Sequence, residues 1–248
     1  MYSGGGMGLF DRGPIPPDVV VLLGLLGVTF VMQFFQLTAI IPSLLQLSPL
    51  VFRGALWQLL SYAFSGYGPA SLWFLVSLLM LYWFAGDVFR RLGRTLFWRI
   101  TLSAVFIGSL SAVLVRGLGM FFGLISPMPF VLMQGQYMLV SIFIAAWASL
   151  YRERTILLFF VLPIRASWFL PLEILFAFMG FLNTHDFAGF IGLSAAVIAT
   201  WFLMTTGGLL RGLQDFRLRL RRMWVEFRLA RLRRKRNLHI VDEDRFLN

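Results

Sequence analysis

Apolar residues in this chain come in long runs, not in the two-residue alternation of half-buried strands. Six such runs stand out, at 19–37, 72–85, 96–115, 135–150, 167–182 and 187–206, and they are almost free of charge. A helix needs roughly 20 apolar residues to cross about 30 Å of hydrocarbon, so the pattern predicts six transmembrane helices. Their connections are short, which favours one bundle over several domains. The expected fold is therefore all-α and polytopic, with a membrane domain over 19–206 flanked by an N-terminal tail, 1–18, and a C-terminal tail, 207–248.

Two stretches depart from this simple alternation. Residues 38–71 are too apolar to lie free in water, with Leu44, Leu45, Leu47, Leu50, Val51, Phe52 and Leu56 among them. They are expected to rest in the membrane interface, where Trp57 and Tyr62 keep their polar tips wet. The run from Thr155 to Leu182 is too long for one span, and Pro163-Ile164-Arg165 interrupts it. Placing Arg165 at mid-bilayer would cost about 2.5–3.5 kcal/mol. Residues 156–162 are accordingly read as an interfacial loop, with the fifth helix starting near Ser167.

Composition strengthens the membrane reading. Hydrophobic residues make up 59% of the 248 positions and charged residues 13%, with a mean hydropathy of +0.80. Soluble domains carry about a quarter charged residues. Cysteine is absent, which excludes disulfides, thiolate catalysis and cysteine-ligated metals, and the two histidines, His185 and His239, give no support for a metal or haem centre. No cofactor is expected. The tail before the first run is rich in Gly and contains Pro14, Pro16 and Pro17, while Asp11 and Asp18 precede the run and no small-residue cleavage site follows it. The first run is thus read as a retained helix and not as a signal peptide.

The net charge of +11 is placed by topology. Arginines gather after the second, fourth and sixth runs, and the opposite loops hold Arg53, Arg116 or none. By the positive-inside rule both termini lie in the cytoplasm, in a bacterial-type inner membrane. The C-terminal tail places Phe216, Leu220, Met223 and Phe227 at helical spacing with Trp224 beside them, and Arg221, Arg222, Arg228 and Arg231 elsewhere around the helix. This predicts a basic amphipathic helix that docks on anionic lipids, each nearby cation contributing about 1 kcal/mol, or on a protein partner. Nucleic acid is not an expected partner, because no recognition motif accompanies the arginines.

Candidate chemistry sits at the start of two runs, Gly135-Gln136-Tyr137-Met138 and His185-Asp186-Phe187-Ala188-Gly189. Upstream are Trp57-Gln58, Tyr62-Ala63-Phe64 and the turn-like Gly86-Asp87-Val88-Phe89-Arg90-Arg91-Leu92-Gly93. Taken in order with the six runs, these segments resemble the rhomboid intramembrane proteases, over about residues 19–206. The family writes Gly-x-Ser-Gly and Ala-His-x-x-Gly at the two later positions. The resemblance therefore implies that Tyr137 stands where the nucleophile would be and Asp186 where the base would be. The histidine and asparagine that the family uses as oxyanion donors also have no counterpart in 50–100.

What the resemblance implies is a catalytically inactive member of the inactive-rhomboid and derlin type. Such a protein would bind transmembrane segments of partner proteins and regulate their stability, trafficking or assembly. A permanent structural subunit of a larger membrane complex is the rival reading. An active protease using a shifted Ser141 and His185 is a third, although Ser141 lies about 6 Å along the helix axis from residue 137.

Small residues recur at every fourth position on the two relevant helices, Ser141, Ala145 and Ser149 on one and Ala188, Gly192 and Ala196 on the other. Such stripes allow backbones to approach closely in lipid, so the fourth and sixth helices are expected to pack face to face. At the degenerate site, the Tyr137 hydroxyl could bridge to Asp186 or His185. Alternatively, Thr184 or Asp186 simply caps the sixth helix.

Overall fold

The structure is a computed structural model that describes residues 16–69, 71–123, 130–153, 155–158 and 162–205. The C-terminal tail, with its expected amphipathic helix, lies outside the described residues. Helices dominate: α1 (Pro17–Met32), α2 (Ile40–Leu45), α3 (Gln58–Ser61), α4 (Leu72–Phe121), α5 (Gly135–Leu150), α6 (Phe169–Thr184) and α7 (Phe187–Thr205). Among the described residues three helical segments, Leu72–Phe121, Ala166–Thr184 and Phe187–Thr205, are long and apolar enough to cross a membrane. The last two correspond to α6, with the 3-10 turn that leads into it, and α7. α1 and α5 are shorter apolar helices. Large side chains such as Leu72, Trp73, Leu118, Phe176 and Ile198 are exposed around the outside, the kind of surface that hydrocarbon covers.

The second and third apolar runs form two helices that follow each other directly across a break at Gly93, and α4 denotes both. The Gly86–Gly93 segment, expected as a turn, stays helical until Gly93, where φ 73° and ψ 168° break the helix into arms 72–92 and 94–121. A β-carbon would be strained at that positive φ, which explains a glycine at the elbow. Asp18, at the first turn of α1, is held at the same place: its carboxylate accepts from the Trp98 indole at 3.0 Å and pairs with Arg94 at 3.0 Å. The end of the first arm is also close to the end of α5, where the Arg91 guanidinium lies over the Tyr151 ring.

In the 38–71 stretch Trp57 is exposed, but Tyr62, expected to keep its polar tip wet, is buried. The stretch folds into α2, α3 and two 3-10 turns, Pro49–Arg53 and Tyr62–Phe64, and sends Leu47, Val51, Tyr62 and Ala63 into the core. Polar bonds secure it well along the second arm of α4. The buried Tyr62 hydroxyl donates to the Val105 carbonyl at 3.2 Å, and the Ser109 hydroxyl donates to the Leu59 carbonyl at 2.7 Å. Within the stretch Gln58 is fully buried, accepting from Ser48 and donating to the Leu44 carbonyl. Main-chain groups of an irregular segment need such partners when water is excluded.

Residues 156–162, expected as a loop, belong in part to a two-stranded antiparallel hairpin. β1 (Thr155–Leu158) pairs with β2 (Leu162–Arg165), and Thr155 faces Arg165 in register. The pairing satisfies the backbone groups that the two strands turn toward each other, and a 3-10 turn at Ala166–Trp168 then leads into α6. α5 is the central helix, with most of its length buried; Phe143 stacks on Phe97 and Trp147 meets Phe84 edge to face.

Candidate functional site

α6 and α7 are joined by only two residues. His185 takes the left-handed conformation at φ 56°, closing α6 with its amide on the Phe181 carbonyl, and its own side chain is exposed. Histidine is one of the few residues besides glycine that visits this region with modest strain. Asp186 follows immediately and caps α7, its carboxylate accepting the Gly189 amide at 2.9 Å. That is the ordinary work of an aspartate at this position, satisfying a free amide at the positive end of the helix dipole.

The carboxylate does more than cap. Its Oδ1 also receives the Arg116 guanidinium at 2.7 Å, and its Oδ2 accepts the Leu132 amide at 3.1 Å. The two side chains are 3% and 2% exposed. Arg116 further lies over the buried Phe130 ring, 4.6 Å from its centroid. One carboxylate thus collects the second arm of α4, the segment entering α5 and the start of α7. Gly189 has no room for a side chain here, since a β-carbon would collide with the Asp186 carboxylate.

The other positions singled out in the sequence are not gathered around it. Tyr137 is 45% exposed on an otherwise buried helix, and no hydrogen bond joins it to Asp186 or His185 among the described residues. The expected Tyr137 bridge is absent and Arg116 takes its place. Ser141 is buried within α5 while the His185 side chain is exposed, and no hydrogen bond joins the two among the described residues.

Gly135 is set by sterics. A β-carbon there would run into the carbonyls of Tyr62, Ala63 and Ser65, so α5 begins directly against the folded 38–71 stretch. Nearby, Gln136 donates to the Tyr67 carbonyl at 2.9 Å and to Gln134 at 3.3 Å.

The small-residue stripe of α7 finds a different neighbour from the one expected. A β-carbon on Gly192 would lie 2.7 Å from the Ala112 methyl and 2.8 Å from the Gly108 carbonyl. One on Gly108 would lie 2.9 Å from the Ala196 methyl and equally near the Met138 methyl. α7 therefore packs its Gly192 and Ala196 against the second arm of α4. Ala188 is buried on the same helix, while on α5 Ala145 is fully buried and the Ser149 hydroxyl bonds back to the Ala145 carbonyl.

One residue central to this geometry carries no weight in the pattern reading. Arg116 was counted as an outer-loop charge, yet the apolar sequence around it runs on through Met120 without a helix stop, which was the available signal. No group of three or more potential metal ligands occurs among the described residues. No protein-family model matches the chain, and no curated protein matches it in sequence.

Proposed function

We propose that this protein is a non-catalytic, rhomboid-like membrane protein whose helical bundle binds transmembrane segments of other proteins. In this reading α1, the two arms of α4, α5, α6 and α7 make six crossings. Asp18 and the Gly93 elbow then lie on the cytoplasmic side, and Arg116 and Asp186 on the outer side of a bacterial-type inner membrane. The arginine-rich tail supplies a second attachment to anionic lipid or to a partner.

The observation that carries this reading is the engagement of Asp186. At the position where the rhomboid resemblance puts a general base stands a carboxylate with an arginine and two backbone amides already bound to it. A base must hold a nucleophile within about 3 Å, and the residue at the nucleophile position, Tyr137, points to the outside of the bundle. Hydrolytic machinery has been replaced by a structural clasp. What remains is a bundle whose α6 buries only Ala177 fully along its length. An apolar helix held this loosely leaves a lateral face on which another span can pack.

A photo-crosslinking residue at Phe176 on α6, compared with one at Val21 on α1, tests the proposal in the native membrane. The expected result is a set of substoichiometric membrane-protein adducts from Phe176 without cleavage products. Cleaved clients would restore a protease reading. A single stoichiometric set of companions, recovered equally from both positions, would make the protein an architectural subunit.

A further inference from the structure

Between α5 and α6 the chain turns back on itself as β1 and β2, and among the described residues the main contact of each strand is with the other. A two-stranded hairpin that no helix or third strand supports is marginal in water. Each strand turns one side to its partner and has one side left over. Which residues face the leftover side follows from the register: Thr155 lies opposite Arg165, Ile156 opposite Ile164, Leu157 opposite Pro163 and Leu158 opposite Leu162.

Proline has no N–H, so Leu157 and Pro163 form a pair that does not exchange hydrogen bonds. Antiparallel ladders alternate, which assigns the bonds between the strands to Ile156 with Ile164 and Leu158 with Leu162. Thr155 and Leu157 therefore turn their amides and carbonyls to the outer edge of β1, as Pro163 and Arg165 do on the outer edge of β2. No backbone hydrogen bond from outside the hairpin reaches Thr155 or Leu157 among the described residues, and Thr155 is exposed.

The two edges are not equivalent. Pro163 leaves the β2 edge short of a donor, as in strands that stay at the margin of a sheet. β1 reads Thr-Ile-Leu-Leu, with every donor present and neither glycine nor proline. An open edge of this kind is not tolerated in hydrocarbon, where nothing hydrates its amides, and in water it is a template for pairing with another extended chain.

We infer that β1 is a dimer interface, pairing antiparallel with β1 of a second copy of this protein and extending the hairpin into a four-stranded sheet. A two-fold axis requires a surface that complements itself, and an antiparallel strand pair does so when the axis passes through its middle. Here the axis falls between the two Ile156 residues. Thr155 of one copy then exchanges hydrogen bonds with Leu157 of the other, and the reverse, so the outward groups of both residues are satisfied, while β2 with its proline closes each margin. A second copy brings a matching edge, with the same unpaired groups, at the same depth in the membrane. The pairing is independent of what α6 binds.

The chain has no cysteine, so single cysteines report the contact without interference. Full-length Ile156→Cys and Ile164→Cys variants are treated with copper phenanthroline in native membranes and separated on non-reducing gels. Across the axis the two 156 positions form a pair without hydrogen bonds, their α-carbons about 4.5 Å apart, within the span that a disulfide bridges. The two 164 positions are separated by three strand spacings, about 14 Å, which is too far. Ile156→Cys should therefore give a disulfide-linked homodimer and Ile164→Cys should not. Leu157→Pro removes an outward donor and leaves the bonds to β2 in place, so adding it should abolish the Ile156→Cys homodimer, whereas adding Leu157→Ala should not. Absence of a homodimer from Ile156→Cys, equal homodimer from both positions, or a homodimer that survives Leu157→Pro overturns the pairing. Capture of a different protein by Ile156→Cys in place of a second copy overturns it as well.

Discussion

Arg116 and Asp186, 70 residues apart in sequence, meet at 2.7 Å in a pocket that hides both from the surface. The charges come from the second arm of α4 and from the cap of α7, so the pair joins two helices that also touch through Gly108 and Gly192. Removing one partner takes a buried charge's closest counter-ion away, which costs about 3–5 kcal/mol. Asp186→Asn and Arg116→Met should each lower stability by that order in detergent unfolding followed by tryptophan fluorescence. The double variant Arg116→Met with Asp186→Leu should lose far less than the sum, about 1 kcal/mol for the missing helix cap. Additive losses would mean that the two residues act independently.

The same clasp governs any attempt to rebuild a protease. Tyr137→Ser with Asp186→His places the two catalytic residue types at the positions that the rhomboid resemblance assigns to them. Histidine at 186 abandons Arg116 and the Leu132 and Gly189 amides, so stability should fall by about 3 kcal/mol or more. No cleavage of a reconstituted model transmembrane substrate should follow, because residues 50–100 contain no histidine or asparagine to donate to an oxyanion. Appearance of cleaved product from this variant would show that the catalytic geometry has survived.

Helix positions were legible because hydrophobic runs report burial in lipid or protein directly. The apolar runs at 135–150 and 187–206 coincide within a residue or so with α5 and α7. The 38–71 stretch was less legible, because hydrophobicity does not separate a segment lying on a bundle from one folded into it. That distinction depends on pairwise bonds such as Tyr62 to Val105, which leave no periodic trace. Asp186 was recognisable as a cap from its place before the helix, but its partner Arg116 was assigned to a loop by charge counting. A counting rule treats every arginine as solvent-facing, and a buried ion pair defeats it. The α7 stripe was visible too, although a stripe states only that something comes close and not which helix it is.

That close approach separates the glycines by consequence. A methyl group on Gly192 would meet Ala112 and the Gly108 carbonyl, backbone and side chain of a neighbouring helix that cannot swing aside. Gly192→Ala should destabilise by about 1–3 kcal/mol, as overpacking does. On α1, a β-carbon at Gly24 meets nothing within 4 Å. Gly24→Ala should therefore stabilise the protein, by up to about 1 kcal/mol through helix propensity. Thermal unfolding of the two variants beside the parent checks both signs, and a neutral Gly192→Ala would mean that α4 and α7 are further apart than described.

Tyr62 supplies a pH signature. Burial pushes its phenol well above the ordinary value of 10.0, because the phenolate would lose its hydration inside the bundle. In the unfolded chain the proton leaves near that ordinary value, whereas in the folded chain it stays bound. Between the two pKa values the native state holds more protons than the unfolded one, so stability falls as pH rises past about 10 and is fully present below it. Tyr62→Phe loses the bond to the Val105 carbonyl and should cost about 1 kcal/mol near neutrality. It also deletes this titration, so the gap between variant and parent should narrow steadily as unfolding is measured from about pH 8 to about pH 12. A gap that stays constant across that range would show that the Tyr62 phenol ionises as readily in the folded protein as in water.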